Sequence, residues 1–145
     1  MNREQFLKYI DHFNNRRWDK VTGYFRPDVT LEYPDSFGQP GSPAKTLHGP
    51  QEFIANYQAI TANVREVLNL GAFMTDGNQF LVELITEFHV FRDAPEGSPA
   101  LGKKGDVIVM NQCVLYDTDE QGKFQRIRIF HHRYLDPKDI DLLSC

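Results

Sequence analysis

Val64-Arg-Glu-Val-Leu-Asn-Leu-Gly-Ala-Phe-Met74 and Gln79-Phe-Leu-Val-Glu-Leu-Ile-Thr-Glu-Phe-His-Val-Phe91, joined through Asp76-Gly77, decide the fold. Asp-Gly between two apolar runs is the strongest short hairpin signal, because glycine accepts the positive φ of the tight turn. The second run then divides by parity. Phe80, Val82, Leu84, Phe88 and Val90 make an apolar face interrupted only by Thr86, while Leu81, Glu83, Ile85, Glu87, His89 and Phe91 make a mixed one. A period of two with one apolar face describes a sheet covered on one side. The mixed face either lines a polar cavity, meets a second subunit or faces solvent.

Toward the C-terminus, a loop from Asp93 to Gly105 leads to a further strand, Val107–Tyr116. A turn at Gln121-Gly122 leads to the last, Lys123-Phe-Gln-Arg-Ile-Arg-Ile-Phe-His-His-Arg-Tyr-Leu-Asp136. Asp117-x-Asp119-x-Gln121-Gly122 begins like a calcium loop, but its twelfth position is Arg128 instead of glutamate. It reads as a hairpin turn, and no metal site is expected.

Toward the N-terminus, Asn2 and Gln5 form a capping box for a helix carrying Phe6, Tyr9, Ile10 and Phe13, which Asn14-Asn15 ends. Trp18, Val21 and Phe25 predict a second short helix closed by Pro27; Val29–Tyr33 predicts a strand. Pro34 to Lys45 reads as a loop, followed by a short strand. A third helix starts at Gly49-Pro50, with Phe53 and Tyr57 on its buried side. Helices gathered in the N-terminal half and long hairpin-linked strands in the C-terminal half make an α+β domain spanning 1–145.

A chain of 145 residues buries enough surface for a core without staples. The net charge of −4 with mixed signs offers no basic field for nucleic acid. Arg126, Arg128 and Arg133 form the densest cationic cluster. Two cysteines are too few for a disulfide framework, and no apolar run reaches the length of a membrane span. The expectation is a cytoplasmic protein.

Phe6-Leu-Lys-Tyr-Ile-Asp-His-Phe-Asn-Asn-Arg-Arg-Trp-Asp-Lys-Val, Leu47-His-Gly-Pro-Gln-Glu-Phe-Ile and Gly122 through Asp136, in this element order, resemble the NTF2-like superfamily and within it the SnoaL-like polyketide cyclases and isomerases. The resemblance implies a cone in which N-terminal helices pack on a strongly curved, mainly antiparallel sheet. It implies homodimers, an aspartate acting as acid or base at the end of the last strand, here Asp136, and a small hydrophobic substrate. Scytalone dehydratase is a second branch with a similar helix-break-Trp-Asp segment. It carries tyrosine-aspartate where this chain has Phe13-Asn14, and it uses central-strand histidines that Val107–Tyr116 lacks.

Adjacent His131 and His132 point to opposite faces, and histidine titrates near neutrality. His131 faces inward if Ile127 and Ile129 mark the core face, His132 if Phe130 and Tyr134 do; the charge-free Ile127 face favours His131. Glu87 and His89 share a face, placed to interact with each other and with the last strand's histidine. Asp136 before Pro137 also reads as a turn start. Tyr33 or Asn111 would steady an oxyanion. Phe13 and Tyr57 would wall the cavity, with Asn14 and Arg133 as further ligand contacts. The function expected is a cofactor-free acid/base enzyme cyclising or isomerising a polyketide- or terpenoid-type intermediate in secondary metabolism. The alternatives are a non-catalytic binding or dimerisation module and a dehydratase.

Overall fold

The computed structural model describes residues 1–34, 44–98 and 100–142. Helices α1 (Arg3–Asn14) and α2 (Trp18–Thr22) precede strand β1 (Phe25–Tyr33), strand β2 (Lys45–His48) and helix α3 (Gly49–Thr61). Strands β3 (Val64–Asp76), β4 (Gln79–Val90), β5 (Val107–Thr118) and β6 (Phe124–Leu135) follow. Asp35, most of the loop before β2, and Cys145 lie outside the described residues.

Helix α1 starts with the capping box read from its sequence: Asn2 Oδ1 accepts the Gln5 N–H, and Gln5 Oε1 accepts the Asn2 N–H. Its stripe Phe6, Tyr9, Ile10 and Phe13 is buried. The second helix is shorter than its spacing suggests. It ends at Thr22, and Phe25 and Pro27 already belong to β1. Pro27 is tolerated there because the register between β1 and β6 is irregular from Phe25 to Thr30, so no ladder N–H is missed.

The strands form one six-stranded sheet in the order β2-β1-β6-β5-β4-β3. Among the described residues, only β1 and β6 pair in parallel; the other neighbours are antiparallel. The hairpin pairs Asp76 with Gln79, and Gly77 takes φ +57° between them. In the second turn Asp119 Oδ1 accepts the N–H groups of Gln121 and Lys123, and Gly122 takes φ +78°.

The helices cover the face carrying Leu31, Leu68, Phe80, Val82, Leu84, Val114, Tyr116 and Ile127. Fully buried Phe6 is the hub, its ring contacting Tyr9, Phe73, Phe80 and Tyr116. The apolar face of β4 is therefore the inner one, as its parity predicts.

Asn14 pins α1 to the sheet. Its Oδ1 accepts the Leu68 N–H at 2.8 Å and its Nδ2 donates to the Leu68 carbonyl at 3.0 Å. Strand β3 is a sheet edge, so the side chain supplies the pair of bonds a further strand would have made. Asn14→Ala is expected to cost about 1–3 kcal/mol, through two backbone groups left unpaired in a partly buried place. Urea unfolding reads it.

Candidate functional site

Register places every inner-face side chain. Across the sheet, Leu84 lies opposite Gln112 and Gln112 opposite His131; one row further, Leu68, Thr86, Met110 and Tyr134 align. Directly paired residues share a face, so His131 stands on the helix-covered side with Ile127 and Ile129. His132 is the extra residue where the β5–β6 register shifts, because Asn111 pairs with Arg133 while Gln112 pairs with His131. The bulge turns His132 out and exposed, and brings Tyr134 back to the inner face, its ring 4.9 Å from that of His131. Thr86 Oγ1 donates to Gln112 Oε1 at 2.9 Å, both buried. Partial burial and the neighbouring His132 charge push the His131 imidazole below its ordinary range.

Tyr33 follows the last registered β1–β6 pair, Glu32–Arg128, and so continues the inner face beside Ile129. From α3, Tyr57 reaches down until the two phenolic oxygens lie 2.7 Å apart. Burial pushes both phenols above the tyrosine range, and the charge of a nearby carboxylate, Glu66, adds to it. Glu66 pairs with Phe88 between Val64 and Leu68, inner-face positions of β3. Burial alone raises its carboxyl to about 8. Thr86, Gln112, His131 and Tyr134 thus stand in neighbouring rows of an otherwise apolar face, with the tyrosine pair toward β1 and Glu66 on the edge strand β3. A neutral base, phenolic donors and a protonated acid are the parts of proton-transfer chemistry.

Other residues named from sequence lie elsewhere. Glu87 is on the opposite face, its side chain 1% exposed. It accepts from Asn69 Nδ2 at 2.8 Å and meets His89 Nε2 at 2.8 Å. The Glu87–His89 contact forms, but the sheet separates it from His131. Asn111 is on that opposite face too, donating to Glu83 at 3.3 Å, with exposed Arg133 paired beside it. Asp136 is exposed and accepts the Lys138 N–H, capping a short turn of helix at Pro137–Asp139. Phe13 is buried between Trp18 and Tyr57. Asn14 engages the Leu68 backbone. Glu66, Thr86 and Gln112 join the site without having been singled out by motif.

The model of the SnoaL-like domain family matches residues 6–127. The chain belongs to the SnoaL-like family. Solved structures similar to this SnoaL-like domain include an NTF2-like protein of unknown function from Burkholderia pseudomallei, 15% identical over 89% of this chain and 88% of that one, TM-score 0.69. A protein assigned as a polyketide cyclase from Xanthomonas campestris pv. campestris is 20% identical over 86% and 84%, TM-score 0.65. The epoxide hydrolase/cyclase-like enzyme of pyran ring formation in the polyether salinomycin is 17% identical over 91% and 95%, TM-score 0.64. At these identities the likeness is one of fold. No curated protein matches significantly. No helix among the described residues of the SnoaL-like domain is long and apolar enough to cross a membrane.

Proposed function

We propose that this SnoaL-like protein is a cofactor-free acid/base enzyme that cyclises or isomerises a hydrophobic polyketide- or terpenoid-type intermediate of secondary metabolism. The reaction is proton transfer α to a carbonyl. The observation that carries the reading is His131, set on the helix-covered face beside Gln112 and Tyr134 and held below its ordinary pKa. At neutral pH its imidazole is unprotonated and takes the α-proton. The C–H electron pair moves into the new C=C bond, and the carbonyl π pair moves onto oxygen. The Tyr33–Tyr57 pair donates to that oxygen. Return of the proton from the imidazolium to another carbon completes an isomerisation; attack of the enolate carbon on a second carbonyl closes a ring, the π pair of that carbonyl moving onto its oxygen, which takes the proton back from the imidazolium.

The polyketide cyclase and the cyclase-like enzyme among the similar structures support this reading. Glu87, Asn111 and Asp136 are left out of it by their placement. The test is protein-catalysed exchange of the methyl protons of naphthyl methyl ketone in deuterated water, a probe of enolisation that does not require the natural substrate. Acceleration that disappears in His131→Gln supports the proposal. Binding of the ketone without acceleration assigns the protein to the non-catalytic binding reading.

A further inference from the structure

Thr86 and Gln112 have no task in the chemistry above, yet among the described residues they are the most deeply buried polar side chains of the helix-covered face. Thr86 is 0% exposed and Gln112 6%, so water does not stand in for either partner. A hydroxyl has one hydrogen to donate, and Thr86 Oγ1 gives it to Gln112 Oε1 at 2.9 Å. That bond decides how the amide is turned. Its oxygen is directed toward β4, so the N–H2 end is the one left for the other side of β5. The cross-strand neighbour of Gln112 on that side is His131, and directly paired side chains stand about 5 Å apart at Cβ.

The rows concerned run Leu70–Leu84–Gln112–His131 and Leu68–Thr86–Met110–Tyr134 across β3, β4, β5 and β6. They bring no charged side chain beside the imidazole from β3, β4 or β5. Its own strand supplies Tyr134 on the same face and, through the bulge, the charge of His132. Tyr9 of α1, Tyr33 of β1, Tyr57 of α3 and Tyr116 of β5 are phenols that burial keeps protonated. Glu66 lies three strands away on β3, and burial keeps it protonated at neutral pH. Against this uncharged background a neighbouring dipole counts. The N–H2 end of an amide opposes an imidazolium; the oxygen end favours one by accepting its N–H.

Resting on the enzyme reading above, in which His131 is the base, we propose that Thr86 is a positioning residue that acts through Gln112. Its hydroxyl holds the amide with the N–H2 end toward the ring. That disfavours the imidazolium without occupying the lone pair that takes the α-proton. Packing alone does not call for the hydroxyl. Valine has the same shape, and the other inner residues of β4 are Phe80, Val82, Leu84, Phe88 and Val90.

The test is an NMR titration of the His131 ring in the ligand-free protein, its signal identified by its loss in His131→Gln. Thr86→Val leaves the amide oxygen without its donor and free to turn to the imidazolium. The His131 midpoint is then expected to rise by on the order of one pH unit, the size of one hydrogen bond to a charged group. Thr86→Ser keeps the hydroxyl and is expected to keep the wild-type midpoint. In a Gln112→Met background, Thr86→Val is expected to leave the midpoint where Gln112→Met alone puts it, because the amide is gone. With both partners apolar, that double variant also leaves no buried group unpaired. Should Thr86→Val not fold, Thr86→Ala removes the same hydroxyl. An unmoved midpoint in the variant lacking the hydroxyl, an equal rise in Thr86→Ser, or the same rise in the Gln112→Met background each overturns the proposal. The midpoint is read without turnover, so a failure of His131 as base would leave this result standing.

Discussion

His131→Gln is expected to slow the protein-catalysed exchange of the ketone's methyl protons by about 10²–10⁴-fold, the range a positioned general base supplies. The substitution keeps a polar side chain of similar reach but removes the nitrogen that accepts the proton. Unfolding by urea should be little changed, because His131 is only half-buried and outside the main core. The pH profile carries a second signature. Exchange requires neutral imidazole, so its rate rises with pH as His131 loses its proton and then levels. Burial and His132 both disfavour the imidazolium, so the rising limb lies below the free imidazole value of about 6.5. A limb at or above that value contradicts the burial seen for His131. His132→Gln is the comparison: it removes an exposed imidazole from the bulge. A loss there equal to that at His131 means that the inner histidine has been misassigned.

Glu66→Gln is expected to make the protein more stable, and increasingly so as pH rises. In the unfolded chain the carboxyl ionises near its ordinary 4.5; in the folded protein it holds its proton to about 8. Between these values the folded state binds more protons than the unfolded one, so wild-type stability falls as pH rises through the window. At about 1.4 kcal/mol per unit the full shift corresponds to no more than about 5 kcal/mol. Partial exposure and local relaxation reduce this to the order of 3 kcal/mol at slightly alkaline pH. Below about pH 4.5 both states are protonated and the two proteins should agree. Urea midpoints across the window read the effect. Parallel curves for wild type and Glu66→Gln would mean that Glu66 is as well solvated folded as unfolded.

The element order was legible because each element carries its own local signal. The Asn2–Gln5 cap, the proline after Gly49 and the Asp76-Gly77 turn depend only on near neighbours in the chain. Phe25 and Pro27 were not legible in the same way. Their spacing from Trp18 and Val21 fits a helix, and only pairing with a strand a hundred residues later draws them into the sheet. His131 was legible by parity with Ile127 and Ile129. The bulge beside it was not, since nothing local shows that Asn111 and Gln112 step across an extra residue. Glu66 shares parity with Val64 and Leu68, so a signal exists, but next to Arg65 it looks like half of a solvated charge pair. That its charge reaches Tyr33 and Tyr57 follows from where α3 lies on the sheet. The Tyr33–Tyr57 contact joins residues 24 apart through tertiary packing, which no pattern in either segment encodes.

The central claim is that ligand chemistry takes place on the helix-covered face, at His131 and the donors around it. Titrating isotope-labelled protein with naphthyl methyl ketone and mapping the chemical-shift changes tests it most directly. Saturable shifts at Tyr33, Tyr57, Glu66, Thr86, Gln112 and His131, with Asn69, Glu83 and Asn111 unmoved, are the predicted result. Shifts concentrated at Asn69, Glu83, Glu87 and Asn111 would put the site on the other side of the sheet and contradict the account.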